Sequence, residues 1–143
     1  MFRKWLGIFA ILALLIGAAP LHSKYAEGQI WEYRTRPSDA GSLIKIQKIE
    51  NLPALHESDK VYHLSVIGLH FNNEALAGVV MHIPVSQKTL DSSVTRLSEL
   101  RPDFPDPSEG ISQWREARGG VFTVSLAEIM DFVEQTIDGV RRE

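Results

Sequence analysis

The sequence predicts an α+β fold, in which an antiparallel sheet of about four strands is followed by two to three helices packed on one face. Residues 29–85 contain runs of β-forming side chains that alternate with period two. The connections between these runs are too short for parallel crossovers, and the apolar spacing becomes helical after residue 86. Strands followed by helices are typical of α+β domains. We therefore expect helices on one sheet face and partial exposure of the other.

Residues 1–23 are predicted to be an export segment. A basic start precedes residues 5–19, an uncharged apolar run. As a helix this run spans roughly 22 Å, short of the ~30 Å membrane core. No cleavage motif of small residues is well matched, so a cleaved signal peptide and a retained N-terminal membrane anchor both stay open. The basic start places the remainder across the membrane. We expect a periplasmic or secreted protein, or one anchored in the inner membrane through residues 5–19 and facing the periplasm.

The remaining residues, 24–143, are predicted to form a single α+β domain. The predicted strands cover residues 29–35, 42–50, 61–70 and 79–85, with a brief fifth at 121–124. Pro84 has no N–H to donate, so the fourth strand is expected at an edge of the sheet. The predicted helices follow Ser86, the proline-rich loop 101–110 and the capping box Ser125–Glu128, and cover residues 86–100, 111–118 and 125–139.

The composition excludes several classes of function. The chain is 44% apolar and 23% charged, which is typical of a globular protein. Its net charge of −3 argues against nucleic-acid binding, which usually needs a basic surplus. It has no cysteine, which excludes disulfides, thiolate metal ligands and a cysteine nucleophile. Gly119–Gly120 precede a strand instead of a helix, the reverse of a phosphate-binding loop, and no cofactor is predicted.

Four segments of the chain resemble an uncharacterised family of small bacterial proteins. They are GQIWEYRTRP (28–37), SLIKIQKIE (42–50), MHIPVS (81–86) and VFTVSLAE (121–128). The resemblance covers nearly all of residues 28–140. It implies one compact domain and no particular activity. Many chains that it resembles begin near the first strand, so the export segment is an addition here.

A candidate ligand site lies on the predicted outer face of the sheet. His63, His82 and Glu32 would share this face, and these residue types suit zinc binding or acid–base chemistry. However, a symmetric hairpin about residues 71–78 places His63 roughly 13 Å from His82. That distance is too large for two ligands of one zinc ion, so no metal site is predicted. No catalytic residue is predicted either, since Ser65 lies within a strand and no G-x-S-x-G motif is present.

Two charged features are further candidates for binding. Arg36, in a turn, can clamp an anion, although such an arginine more often pairs with a carboxylate. The last predicted helix carries Glu128, Asp131, Glu134 and Asp138 along one side. The last two carboxylates gain nothing from the helix dipole. This side is predicted to be either a solvated face or, through Glu134 and Asp138, a docking face for a basic protein partner.

Two functions remain open from the sequence. The preferred one is an exported, non-enzymatic binding or interaction domain, because no catalytic constellation emerges from the motifs. The alternative is a small-ligand or metal-binding protein, or a weak hydrolase, that uses His63, His82 and Glu32.

Overall fold

The structure, a computed structural model, describes residues 24–52 and 59–140 and contains one five-stranded sheet. Its elements are β1 (Ile30–Tyr33), β2 (Leu43–Asn51), β3 (Lys60–Ile67), β4 (Val80–Val85), α1 (Gln87–Ser93), β5 (Val94–Leu97), α2 (Ser108–Glu116) and α3 (Leu126–Val140). The strand order is β4–β3–β2–β1–β5, and all neighbours are antiparallel. The predicted α+β fold is therefore confirmed, with five strands and three helices.

The predicted export segment, residues 1–23, lies outside the described residues. Within residues 24–52 and 59–140, no helix combines the length and the apolar character that a membrane crossing requires.

The main core lies between one sheet face and the helices α1 and α3. Alternate strand residues point to the same face, so Trp31 and Tyr33 of β1 are both buried there. Helix α3 contributes three fully buried side chains from its first turns, and the strands and α1 supply the rest. The largest members are Tyr25, Ile44, Ile46, Tyr62, Leu64, Leu90, Leu126, Ile129 and Met130.

The capping box predicted at the start of α3 is present. The hydroxyl of Ser125 accepts a hydrogen bond from the backbone N–H of Glu128, and the Glu128 carboxylate accepts one from the backbone N–H of Ser125. Two otherwise unpaired donors of the helix start are thereby satisfied.

Strand β5 replaces the second half of a predicted helix. The sequence predicts a helix over residues 86–100, but α1 ends at Ser93 and the chain then pairs with β1. The β-branched Val94 and Thr95 favour an extended backbone. Pairing with β5 also gives hydrogen-bond partners to the backbone groups at the edge of β1. The helical spacing of the sequence does not indicate this long-range pairing.

Strand β4 lies at the opposite edge, as Pro84 predicts. The predicted strand at residues 121–124 is reduced to one parallel bridge between Phe122 and Val85. The backbone N–H of Phe122 donates to the carbonyl of Pro84 at 3.0 Å. This bridge covers one end of the β4 edge.

The second face of the sheet is covered, whereas the sequence suggested partial exposure. Helix α2 and the proline-rich segment before it lie across this face. The Trp114 ring contacts the His63 ring with centroids 4.9 Å apart, and the Gln47 side chain donates to the Pro105 carbonyl at 3.1 Å. His63 and Ser65 are consequently fully buried. The helices α1 and α3 share one face, and α2 occupies the other.

Candidate functional site

His63 and His82 are neighbours on the second face of the sheet. In the β3–β4 hairpin His63 pairs with Pro84. The symmetric hairpin about residues 71–78 that the sequence predicts would pair His63 with Ser86, so the observed register differs by two residues. A shift of two residues keeps each side chain on its predicted face but changes its neighbours. The Nδ1 atom of His63 lies 2.7 Å from the Nε2 atom of His82, so the predicted separation of roughly 13 Å is wrong.

The carboxylate beside this pair comes from Glu50 and not from Glu32. Its Oε1 atom lies 3.7 Å from His63 Nε2 and accepts a hydrogen bond from Arg115 of α2. Glu32 instead pairs with the exposed Arg96 of β5, near the opposite edge of the sheet from β4. We call His63, His82, Glu50 and Arg115 the histidine cluster.

A β-bulge explains why the sequence pattern missed Glu50. Strict alternation along β2 places Glu50 on the core face with Ile44 and Ile46. The register of β2 against β3 shifts between Ile46 and Lys48, and this extra residue reverses the faces beyond it. Glu50 therefore points towards α2, where Arg115 meets it.

Burial keeps both imidazoles of the cluster neutral at pH 7. Burial and, to a smaller extent, the neighbouring His63 together lower the pKa of His82 to about 4, against an opposing effect of the Glu50 carboxylate. Burial also lowers the pKa of His63, against an opposing effect of the Glu50 carboxylate. One proton is then shared between the two facing nitrogens.

The position of Glu50 favours one tautomer of His63. Within the described part of the chain, the buried Nε2 atom of His63 has no hydrogen-bond partner, and it faces the Glu50 carboxylate. A proton on Nε2 is favoured by this negative charge. The Nδ1 atom of His63 is then the acceptor, and Nε2 of His82 donates to it.

Ser65 lies close to the cluster but is engaged elsewhere. Its hydroxyl donates to the carbonyl of Met81 at 2.7 Å and accepts from the Gln47 amide at 3.2 Å. This geometry directs the hydroxyl to the sheet backbone and not to a histidine. Among residues 24–52 and 59–140, no three His, Cys, Asp or Glu side chains converge as a metal site.

Arg36 lies in an ion cluster within the fold. Its Nε atom lies 2.6 Å from Asp39 Oδ2, and its Nη1 atom lies 2.6 Å from Glu134 Oε2 of α3. The side chain is only 8% exposed, and Asp39 is fully buried. The structure thus gives Arg36 the more common role of pairing with carboxylates, and the anion that it clamps belongs to the protein itself.

Acidification is expected to weaken the contribution of Glu134 to stability. A hydrogen bond from the backbone N–H of Asn72 lowers the pKa of Glu134, and Arg36 contributes in the same direction. A lowered folded-state pKa means that the stabilisation is present above the ordinary glutamate range, near 4.5, and is lost as the pH falls below it. The melting temperature should therefore fall less steeply below pH 4.5 in Glu134→Gln than in the wild type. Asp138→Asn on the same helix serves as control, and equal slopes for the wild type and Glu134→Gln would contradict the assignment.

Glu134 and Asp138, the two carboxylates that the sequence predicts for docking, are not the exposed carboxylates of α3. Glu134 is only 13% exposed and binds Arg36 and Asn72. Asp138 is half-buried. The exposed carboxylates of α3 are those of Glu128 and Asp131, and the side chain of Asp131 is 60% exposed.

An aromatic ring lies next to these exposed carboxylates. The helical spacing of the apolar residues in α3 predicts Phe132 on the core-facing side, yet its side chain is 56% exposed. The core accepts Leu126, Ile129 and Met130, whereas Phe132 lies at its edge and contacts the Phe122 ring edge-on, with centroids 6.0 Å apart. Val124, just before the helix, is also exposed. We call the set Val124, Glu128, Asp131 and Phe132 the α3 surface.

The fold and these two sites define the class of protein as a small α+β domain with one five-stranded antiparallel sheet. No family model, curated protein or solved structure matches this chain. The resemblance to a family of small bacterial proteins stays a prediction.

Proposed function

We propose that the protein is an exported, non-enzymatic interaction domain that binds a protein partner through the α3 surface. The observation that carries this proposal is the exposure of Phe132, one helical turn after the exposed Glu128 and next in the chain to the exposed Asp131. Aromatic residues are enriched at the centres of protein interfaces. Burying a phenylalanine side chain contributes roughly 1.5–3 kcal/mol.

The chemistry of the α3 surface specifies the kind of partner. Its apolar part, Phe132 and Val124, requires an apolar side chain on the partner. Glu128 and Asp131 lie on the exposed side of the helix within one turn of Phe132. Each carboxylate has one contact within the fold, Glu128 with Ser125 and Asp131 with Arg36 at 3.3 Å, and its exposed part attracts lysine or arginine. The proposed partner is therefore a basic protein segment with an apolar anchor. If residues 1–23 direct export as predicted, the two proteins would meet in the cell envelope or outside the cell.

The first test is capture of envelope and periplasmic proteins on the full chain, immobilised through its C-terminus. We expect Phe132→Ser to reduce recovery of the partner at least tenfold, because the apolar anchor is lost. Asp131→Lys should reduce recovery strongly at low salt, and its folding is checked by circular dichroism because Asp131 Oδ1 also lies 3.3 Å from Nη1 of Arg36. The wild-type complex should weaken at ~0.5 M salt, where the Debye length is only a few Å.

Two matched variants make this test specific. Leu100→Ser removes another exposed apolar side chain, and Glu116→Lys reverses another exposed charge, both away from the α3 surface. Recovery should be unchanged with these two variants. Equal loss with the control variants, or full retention with Phe132→Ser, would refute the proposal.

The histidine cluster favours the alternative function, a small-ligand or metal-binding protein. It retains His63 and His82 from the predicted site and replaces Glu32 with Glu50. Its chemistry does not involve the α3 surface, so both forms of binding are compatible in one domain.

A further inference from the structure

We propose that the partner binds as an extended β-strand along residues 121–124, which we call the edge segment. This mode of binding rests on the proposed function and specifies how the basic partner segment is held. The edge segment continues the sheet beyond β4, because Phe122 forms a parallel bridge with Val85 and its backbone N–H donates to the Pro84 carbonyl at 3.0 Å. A partner strand outside the edge segment would extend the sheet further.

The outward backbone groups of the edge segment are available for such pairing. In an extended chain, alternate residues direct their N–H and C=O groups to the same edge. Phe122 uses both groups on the inner side, since its carbonyl accepts from the N–H of Ser86 at 2.9 Å. Val121 and Thr123 direct theirs outward, and within the described part of the chain no hydrogen bond reaches these N–H and C=O groups. Unpaired backbone groups at a sheet edge are a template for another strand.

The edge segment is fixed from its inner side. The Thr89 hydroxyl of α1 lies within hydrogen-bond distance of two carbonyl oxygens, 3.0 Å from that of Phe122 and 2.7 Å from that of Val124. Just before the segment, Trp114 Nε1 donates to the Gly120 carbonyl at 2.8 Å. The outward groups are thus held in place before a partner arrives, which reduces the ordering cost of binding.

One face of the added strand would lie over the α3 surface. Val124 belongs to both the edge segment and the α3 surface, and Phe122 contacts Phe132 edge-on with ring centroids 6.0 Å apart. Side chains of a strand alternate between its two faces. Every second residue of the partner strand would therefore be apolar or basic, to match Phe132 and the carboxylates of the α3 surface.

The other face of the added strand would lie over a cavity of about 550 Å³. Val121 and Thr123 line this cavity, and so do Lys60 and Lys88. Neither ammonium group forms an ion pair with another described residue, and Asp59 contributes the opposing charge to the lining. The intervening residues of the partner strand would therefore be polar or acidic. The two faces together specify a strand in which apolar or basic residues alternate with polar or acidic ones.

The test uses a capped seven-residue peptide that follows this alternation. Lysine and phenylalanine alternate at its odd positions, with threonine, glutamate and threonine at the even ones. In an NMR titration of the purified, ¹⁵N-labelled full chain, the amide signals of Val121 and Thr123 should shift and their exchange with solvent should slow. N-methylation of one alternate set of peptide amides should weaken binding at least tenfold, because it removes the donors on the pairing edge. Methylation of the other set should leave the affinity unchanged.

Two substitutions of one residue separate the backbone from the side chain. Thr123→Pro removes an outward N–H and should weaken peptide binding at least tenfold, whereas Thr123→Val keeps this N–H and should bind like the wild type. Circular dichroism checks that Thr123→Pro is folded, and the methylated peptides require no variant.

The outcomes separate this mode of binding from the proposed function. Weakened binding for Phe132→Ser, with unchanged affinity for Thr123→Pro and for both methylated peptides, would overturn the strand pairing and leave the α3 surface as the interface. Absence of binding by the unmodified peptide at ~1 mM would also overturn the strand pairing. The proposed function is contradicted separately, by full retention of the captured partner with Phe132→Ser.

Discussion

Replacing Arg36 by methionine is expected to lower the free energy of unfolding by about 3–5 kcal/mol, the usual cost of removing one partner from a buried ion pair. Asp39 is fully buried, and its Oδ2 atom lies 2.6 Å from the arginine Nε. Glu134 loses the guanidinium at the same time. Methionine keeps much of the side-chain volume, so the loss is chiefly electrostatic. Urea unfolding of the purified chain, followed by circular dichroism, measures the change.

Arg96→Met is the matched control for this prediction. Arg96 also pairs with a glutamate, Glu32, but its side chain is 77% exposed. Exposed ion pairs contribute only about 0–1 kcal/mol. A loss below 1 kcal/mol for Arg36→Met, or equal losses for the two variants, would show that the ion cluster between the turn and α3 does not stabilise the fold as described.

The second large effect is expected for Gly110→Ala in α2. Alanine normally stabilises a helix relative to glycine, by about 1 kcal/mol. Here a Cβ atom at residue 110 would lie 2.6 Å from the Cβ atom of His82, closer than two such atoms approach. The helix would have to move away from β4, and overpacking of this kind costs about 1–3 kcal/mol. We therefore expect Gly110→Ala to destabilise the domain in urea unfolding.

Gly139→Ala in α3 tests the same substitution where space is available. A Cβ atom at residue 139 would meet nothing within 4 Å. This variant should be neutral or more stable by up to about 1 kcal/mol. If Gly110→Ala were equally stabilising, α2 would not pack against His82. That result would contradict the finding that α2 covers the second face of the sheet.

The sequence predicted the parts of the fold that depend on local pattern. Alternation identified the first four strands, Pro84 identified an edge, and Ser125 with Glu128 identified the start of α3. It missed β5 because Leu90, Val94 and Leu97 also fit a helical spacing. The pairing of β5 with β1 is a long-range contact, which a local pattern does not encode.

The histidine cluster was only half predictable for a similar reason. His63 and His82 were correctly placed on one face. Side chains alternate between the two faces with period two, so a register that differs by two residues leaves each of them on the same face. Their distance depended on the register of the β3–β4 hairpin, and the carboxylate depended on a bulge in β2. Neither irregularity has a clear sequence signal. Likewise, nothing in the helical spacing of α3 indicated that Val133 packs against the core while Phe132 stays exposed.

Hydrogen–deuterium exchange tests the proposed function most directly. The full chain would be compared alone and in complex with the protein that it captures. Binding through the α3 surface should slow backbone amide exchange within residues 121–136, and the slowing should disappear with Phe132→Ser. Slowed exchange confined to β5 or to α2, with residues 121–136 unchanged, would contradict the proposed interaction surface.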